Sequence, residues 1–419
     1  MGDRIEVPLE LEGFEVTSTS VVEGTLEVEI ESTRVPACQH CGSLKAVGHA
    51  RNTRRIRDCS VGRPTVLIWH QRRIKCRDCG RTCREQHHAV AGRRSITKRF
   101  RRRLFERAVH EAFSDVAGNE SVSTYRVMEA FDWHSIKELA EPLDHAPELI
   151  CIDESSVKKR YRYNTILFDP RDAGAFDASE GRSEASATKL LERLSPQVKA
   201  GIKAAVIDLH WPYRKALEKC LPDALIVVDK FHVHAAVASA ANRVRTRRGR
   251  RPSITGPRGG TDRKYHRRFE RIVLDTKWTY RKRADKLTEK EQARLFTLFE
   301  LYPEMGAAWL MREAFLSIYD ADDRTEAERR LEVWVSHLPV VNLPEITSVW
   351  EHLLVHWREQ ILAYHEVRCT NAFAEGLTNR IKVMKRVSYG FRNQKRYRRK
   401  VLLACGRRRK TKAHPPFFT

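Results

Sequence analysis

Strict alternation opens the chain: in Thr25-Leu26-Glu27-Val28-Glu29-Ile30-Glu31 every second residue is apolar, and residues 1–35 predict amphipathic antiparallel strands. Thr65-Val66-Leu67-Ile68-Trp69 predicts part of a further hairpin. The period then changes. Phe105 to Phe113 follows helical spacing, Ser114-Asp115-Val116-Ala117-Gly118 reads as a turn, and a second helix begins within Ser121-Val122-Ser123-Thr124-Tyr125-Arg126-Val127-Met128, with a hydroxyl available as cap. That is the order of a helix-turn-helix, with a plain helical linker as the alternative.

Between 145 and 240 the apolar runs become continuous, as in strands covered on both faces. Glu148-Leu149-Ile150-Cys151-Ile152-Asp153, Ala204-Ala205-Val206-Ile207-Asp208 and Ala224-Leu225-Ile226-Val227-Val228-Asp229 each predict a buried strand ending in an aspartate. One such acid is most simply a cap for the next turn or helix. Three in one core point instead to the ligand-binding edge of an open α/β sheet. Thr165-Ile166-Leu167-Phe168-Asp169 should pair with the first strand across a basic turn at Lys158-Lys159-Arg160. Helices follow at Ala187 to Leu194, capped by Ser186, at Tyr213 to Cys220, and from Phe231-His232-Val233-His234 through Arg243, Arg245, Arg247 and Arg248. An antiparallel start followed by crossover helices resembles the RNase H arrangement.

Residues 249–262, rich in Arg, Gly, Pro and Ser, predict a flexible basic loop. The pattern to about 365 is helical, with Leu295, Phe299, Tyr302, Trp309, Phe315, Ile318, Trp334, Trp350, Leu353, Leu354 and Trp357 at spacings that suit the core of an all-α insertion better than base stacking. A last helix, which Asn371 can cap, shows an apolar stripe of Phe373, Leu377, Ile381 and Met384 and a polar one of Glu375, Asn379, Lys382 and Arg386. Its acid followed by cations suits a metal ligand with phosphate contacts beyond it; an exposed ion-paired face is the alternative.

Charge decides which partners to consider. The 419 residues carry a formal net charge of +24 with a pI near 9.8, which calls for a polyanion: nucleic acid first, an anionic membrane surface second. No run approaches the roughly 18 apolar residues of a spanning helix, and the opening Met-Gly-Asp-Arg-Ile-Glu has neither the basic nor the apolar region of a leader, so a soluble intracellular protein is expected. Arg51, Arg54, Arg55, Arg57, Arg72 and Arg73, and the denser run from Arg93 to Arg103, supply much of the positive charge. Arg99, Arg102, Ser123, Thr124 and Arg126, with Arg380, Lys382, Lys385 and Arg386 near the other end, are the candidate DNA contacts.

Ten cysteines in a chain of this size fit metal ligation in a reducing compartment better than a disulfide framework. Cys38-Gln39-His40-Cys41-Gly42 and Cys76-Arg77-Asp78-Cys79-Gly80 together provide the four soft ligands of a closed tetrahedral Zn²⁺ site, structural rather than catalytic. A redox dithiol would need only one of the pairs. Cys83, His40, His49 and His87-His88 are spare candidates, and Cys59, Cys151, Cys220, Cys369 and Cys405 read as buried or incidental.

Read together, these segments resemble the DDE transposases of bacterial insertion sequences, of the ISL-three (ISL3) type. The matching pieces are the two Cys pairs with Arg54-Arg55-Ile56-Arg57-Asp58 between them; Ile152-Asp153-Glu154; Asp208 with Trp211-Pro212-Tyr213; Asp229-Lys230-Phe231-His232-Val233; and Thr370-Asn371 through Glu375-Gly376 to Tyr389-Gly390-Phe391-Arg392-Asn393. Cys83 departs from the pattern, which puts an aromatic residue there. The resemblance implies Asp153, Asp208 and Glu375 as a catalytic triad holding Mg²⁺ or Mn²⁺, Asp229 and His232 as an auxiliary motif beside it, and double-stranded DNA, both element ends and target, as substrate. It also implies a homodimer or larger assembly on DNA, in the bacterial cytoplasm, with no membrane partner. Asp169 and Asp177 are runner-up acids.

The expected architecture is multidomain α+β and α/β: N-terminal strands and a zinc-binding domain over 1–90, a helix-turn-helix domain over 91–144, an RNase-H-like core over 145–240, an α-helical insertion over 241–365, and the core's final helix with a basic tail over 366–419. The competing reading is a zinc and helix-turn-helix regulator whose α/β core is not catalytic.

Overall fold

The computed structural model describes residues 9–91, 95–140, 147–158, 162–171, 174–249, 273, 275–391 and 393–406. Arg93 and Arg94 of the basic run, the turn at Lys159-Arg160, the loop over 250–262 and the tail from 407 lie outside them. The chain divides into two compact units, Met1–Pro142 with Ile381–Ala404 and Leu143–Arg380 with Cys405–Thr419.

In the first unit, β1 (Phe14–Val22), β2 (Thr25–Ser32), β3 (Ala46–Val61) and β4 (Arg63–Cys76) form one sheet in the order β1-β2-β4-β3, with β5 (Thr82–Arg84) added to β4. Alternation does what it predicts: Leu26, Val28 and Ile30 are buried with Ile56, Leu67 and Trp69, while the intervening glutamates face outward. Tight turns follow each Cys pair. Gly42 and Gly80 sit at φ 73° and 67°, conformations that favour glycine, so that their N–H groups reach back to the Cys38 and Cys76 carbonyls.

These turns bring four thiols together, with the Sγ atoms of Cys38, Cys41, Cys76 and Cys79 all within 4.8 Å of one another. The Cys38–Cys79 and Cys41–Cys76 separations are 3.6 Å, close to the edge of about 3.8 Å expected for a tetrahedron with Zn–S bonds of about 2.3 Å. Backbone N–H groups of His40 and Cys41 pull the Cys38 thiol down to about 6. Cys41 gains from the Ser43 N–H, yet Cys76 and the other sulfurs push it up to about 12, since crowded thiols do not all ionise without a cation. The donor set fits zinc. Cys83 packs beside it with Ile74 and Ala46 but lies outside the four.

Three helices complete this part: α1 (Lys98–His110), α2 (Phe113–Asn119) and α3 (Thr124–Glu138). The boundaries differ from the expected ones. Ser114 to Gly118, read above as a turn, are helical, because Val116 and Ala117 are buried against Leu104, Ala108, Val127 and Phe131. The reversal falls at Glu120–Ser123 instead, with Ser121 at φ 50° and Ser123 capping α3 by accepting from the Arg126 N–H. The helix Gln394–Ala404 falls in this unit as well. Arg396 and Arg399 pair with Asp132 at 2.8 and 3.1 Å, and fully buried Lys400 donates to the Glu111 carbonyl at 2.6 Å. Burial pulls the Lys400 ammonium down to about 8.

The second unit is built on a sheet of order β10-β9-β6-β7-β8, comprising β6 (Leu149–Lys158), β7 (Arg162–Asp169), β8 (Gly174–Glu180), β9 (Ala204–Ile207) and β10 (Leu225–Val228). The first three strands are antiparallel; β9 and β10 are parallel to β6. Strand β6 does not end at Asp153, because β7 goes on pairing with it to Lys158. Crossovers are α4 (Glu184–Glu192), α5 (Pro196–Gly201) and α6 (Trp211–Cys220), and α7 (Lys230–Gly249) follows β10. Ser183, not Ser186, caps α4: it accepts from the Ser186 N–H and so starts the helix one turn earlier. Helices fill the region from Lys277 to Val367, and Leu295, Trp309, Phe315, Ile318, Trp334, Leu353, Leu354 and Trp357 are buried there, as the spacing indicates.

Two outcomes are expected for the first unit. Stripping the metal with a zinc chelator, or Cys41→Ser, should abolish one-to-one zinc content by emission spectroscopy and lower the melting temperature, since a closed metal site contributes directly to folding. Asp58 is fully buried and accepts from Thr97 Oγ1 at 2.6 Å and Arg99 Nε at 2.9 Å. Asp58→Ala, which strands those donors, should cost about 3–5 kcal/mol in urea denaturation, and Asp58→Asn less.

Candidate active site

Strand register places the acids. Ile152 of β6 pairs with Ile207 of β9, and Ile207 pairs with Val228 of β10. Each next residue is an aspartate, so Asp153, Asp208 and Asp229 form one row on one side of the sheet, a strand spacing of about 4.8 Å apart. The strands beneath are apolar and closed to solvent: Ile150, Cys151, Ile152, Ala205, Val206, Ile207, Val227 and Val228 are fully buried.

The helix Ala372–Val387 and Asn371, which precedes it, between them touch every member of this row. The Asn371 N–H donates to Asp229 Oδ1 at 3.0 Å, the Asn371 side-chain amide donates to Asp208 Oδ1 at 3.1 Å, and Thr378 Oγ1 donates to Asp153 Oδ2 at 2.7 Å. Glu375 lies four residues after Asn371 and three before Thr378, hence on the same helix face as both. Its own side chain is exposed. From the first turn of α7, His232 Nδ1 stands 3.1 Å from both Asp208 Oδ1 and Asp229 Oδ2.

The electrostatics follow from this crowding. Burial pushes Asp208 up to about 6, with the charges of Asp153 and Asp229 adding to it and His232 opposing it. Burial also works against the Asp229 carboxylate, but His232 and the Asn371 N–H outweigh it and hold that acid below its ordinary range. The hydrogen bond to Asp229 raises His232. Asp208, Asp229 and His232 offer ligand atoms within 4.8 Å of one another and could hold a cation; Asp153 and Glu375 are not in that group.

The expected site residues are therefore distributed as follows. Asp153 and Asp208 are neighbours in the row, and Glu375 is on the helix pinned over it. Asp229, expected beside the site, is part of the row itself, and His232 contacts it and Asp208 from α7. Asn371 was expected only as a cap; its carbonyl does accept the Glu375 N–H, but its amide is turned to Asp208. Thr378 was not anticipated. Ile381 and Met384 of the expected apolar stripe are buried, Phe373 and Leu377 only half-buried, and Ala374 and the polar Thr378 are buried on the same helix; the spacing of Thr378 from Glu375 was the available signal. Asp169 is buried and accepts from the Arg171 N–H, and Asp177 pairs with Arg193 at 3.0 Å.

Among the expected DNA contacts, Arg99 is held by Asp58, and Arg102 by Glu106 and Glu138. Ser123 caps α3, Thr124 begins it, and Arg126 lies 3.7 Å from Glu129. Arg380, Lys382 and Arg386 are exposed; Lys385 is half-buried and lowered by burial and by the charges of Lys382 and Arg386. Among the described residues no helix is long and apolar enough to cross a membrane.

Comparison with known proteins agrees with this arrangement. A family model described as a transposase, of the ISL3 type, matches residues 150–401, and one described as the zinc-finger of transposases IS204/IS1001/IS1096/IS1165 matches residues 34–79. The transposase for insertion sequence element IS1001 of Bordetella parapertussis is 24% identical over 392 residues, 91% of each chain. The transposase for insertion sequence element IS1557 of Mycobacterium tuberculosis is 25% identical over 261 residues, 58% of this chain and 57% of that one. Since the transposase model takes in more than half of the 419 residues and spans the whole acid row with its covering helix, the chain belongs to the ISL3 family of DDE transposases of insertion sequences.

Proposed function

We propose that the acid row is the centre for phosphodiester cleavage and strand transfer, with Asp153, Asp208 and Glu375 holding Mg²⁺ or Mn²⁺. The observation that carries this is the pinning of the Glu375 helix onto Asp153 and Asp208 through Thr378 and Asn371. Hard carboxylate oxygens beside an acid raised by burial and by neighbouring carboxylates suit such cations. When bound, divalent ions activate an attacking oxygen and stabilise the leaving one in an in-line displacement at phosphorus.

The chain's own groups do the rest. Asp229, 2% exposed and engaged by His232 and the Asn371 N–H, braces the row. Arg380, Lys382, Lys385 and Arg386 hold phosphates along the helix beyond Glu375. Water attacks the phosphorus at an element end and the bond to the 3′ oxygen breaks, freeing a 3′-hydroxyl; that hydroxyl then attacks a target phosphodiester, with one P–O bond made for each one broken. The strand order supports an RNase-H-like core. The pair α2 and α3, joined by a short turn, supports a helix-turn-helix that presents Ser123, Thr124 and Arg126 to the element ends. The enzyme acts on DNA in the bacterial cytoplasm as a dimer or larger assembly.

Asp153→Asn should leave binding of element ends intact while Mg²⁺-dependent end cleavage falls by more than the about 10–100-fold typical of losing an outer-shell partner. An unchanged cleavage rate in a gel assay would remove Asp153 from the centre. Asp208, pushed up to about 6, is protonated below that pH and loses its hold on a cation. Single-turnover cleavage at limiting Mg²⁺ should therefore rise as pH increases through about 6, and the midpoint should move to lower pH at saturating Mg²⁺, because the metal competes with the proton.

A further inference from the structure

The ribbon of β3, β4 and β5 treats its cations differently on its two faces. On one face every arginine of a set meets a carboxylate: Arg51 and Glu31 at 2.6 Å, Arg55 and Glu27 at 2.5 Å, Arg72 and Glu85 at 2.7 Å. The register puts Arg51 opposite Arg72, so even this repelling pair is neutralised. The other face begins as core, with Leu67, Trp69 and Gln71 buried, and continues outward as Arg73 and Lys75, both exposed. β5 sets Arg84 directly opposite Arg73. Arg54, opposite Trp69, shares this face and is held below its ordinary value by burial and by the charge of Arg84. Among the described residues, Arg73, Lys75 and Arg84 have no ion-pair partner.

Like charges directly opposite one another weaken a sheet. Nothing in the packing of β4 against β5 calls for two arginines there, and the first face shows that this sheet does supply carboxylates to balance its cations. A fixed row of unneutralised cations on a stiff ribbon suits a ligand that brings its own regularly spaced negative charge. We propose that the face carrying Arg73, Arg84 and Lys75 is a docking surface for the phosphate backbone of double-stranded DNA. This rests on the DNA-handling reading given above, and adds a contact surface in the zinc-bearing part of the chain that acts without reading sequence.

The test is Arg73→Gln with Arg84→Gln in the full-length protein, against Arg51→Gln with Arg55→Gln on the neutralised face. Binding to an element-end duplex and to an unrelated duplex is followed by fluorescence anisotropy over a salt series without Mg²⁺. The first pair should weaken both duplexes by the same factor and make the log–log salt slope shallower by about 1.8, two phosphates at about 0.9 each. Its melting temperature should be equal to or above that of the unchanged protein, because a repulsion has been removed. The control pair should leave the slope unaltered. An unchanged affinity and slope in the first variant, an equal loss in the control, or a lowered melting temperature overturns the proposal while end cleavage by the unchanged protein still stands. Failure of the unchanged protein to bind either duplex overturns this proposal and the DNA-handling reading together.

Discussion

Backbone register in three parallel strands is the constraint on which the second unit depends. Once Ile152, Ile207 and Val228 are aligned by main-chain hydrogen bonds, the residue after each must point to the same side of the sheet at the same height. All three are aspartates. Two carboxylates about 4.8 Å apart repel by about 3 kcal/mol at an effective dielectric near 20. The fully buried aliphatic strands supply the opposing free energy and keep the row from splaying, and His232, Asn371 and Thr378 provide the donors that make it tolerable without a cation.

The first unit meets a different problem with related means. Its sheet is thin and strongly charged, so it relies on local closures: four sulfurs at the end of β4, and Asp58 buried beneath Thr97 and Arg99. Arginine is used here for two purposes. Arg99, Arg102, Arg396 and Arg399 are held by carboxylates and stabilise the helices, whereas Arg73 and Arg84 pair across β4 and β5 with no carboxylate partner among the described residues. Counting positive charges therefore overstates the surface available to a polyanion.

Much of this was legible in the chain itself. The period-two pattern of β2, the apolar runs of β6, β9 and β10 and the two Cys-x-x-Cys turns announce their structures because each signal is local: side-chain alternation, burial on both faces, and a turn that needs glycine. Element ends were less legible. Gly118 looked like a turn residue, but the burial of Val116 and Ala117 gains more than one glycine costs a helix. Ser186 and Ser183 are equally good caps in isolation, and only the docking of α4 selects between them.

By itself, then, the sequence determined the family, the metal-binding cysteines and the acids at the ends of buried strands, since these depend on residue type and short-range spacing. Tertiary structure alone decided that Asp229 and His232 stand in the same row as Asp208, that Asn371 and Thr378 fasten the Glu375 helix to it, and which arginines remain unneutralised. These are matters of register and of contacts between segments up to 225 residues apart, and no short-range pattern encodes which distant partner a side chain will meet.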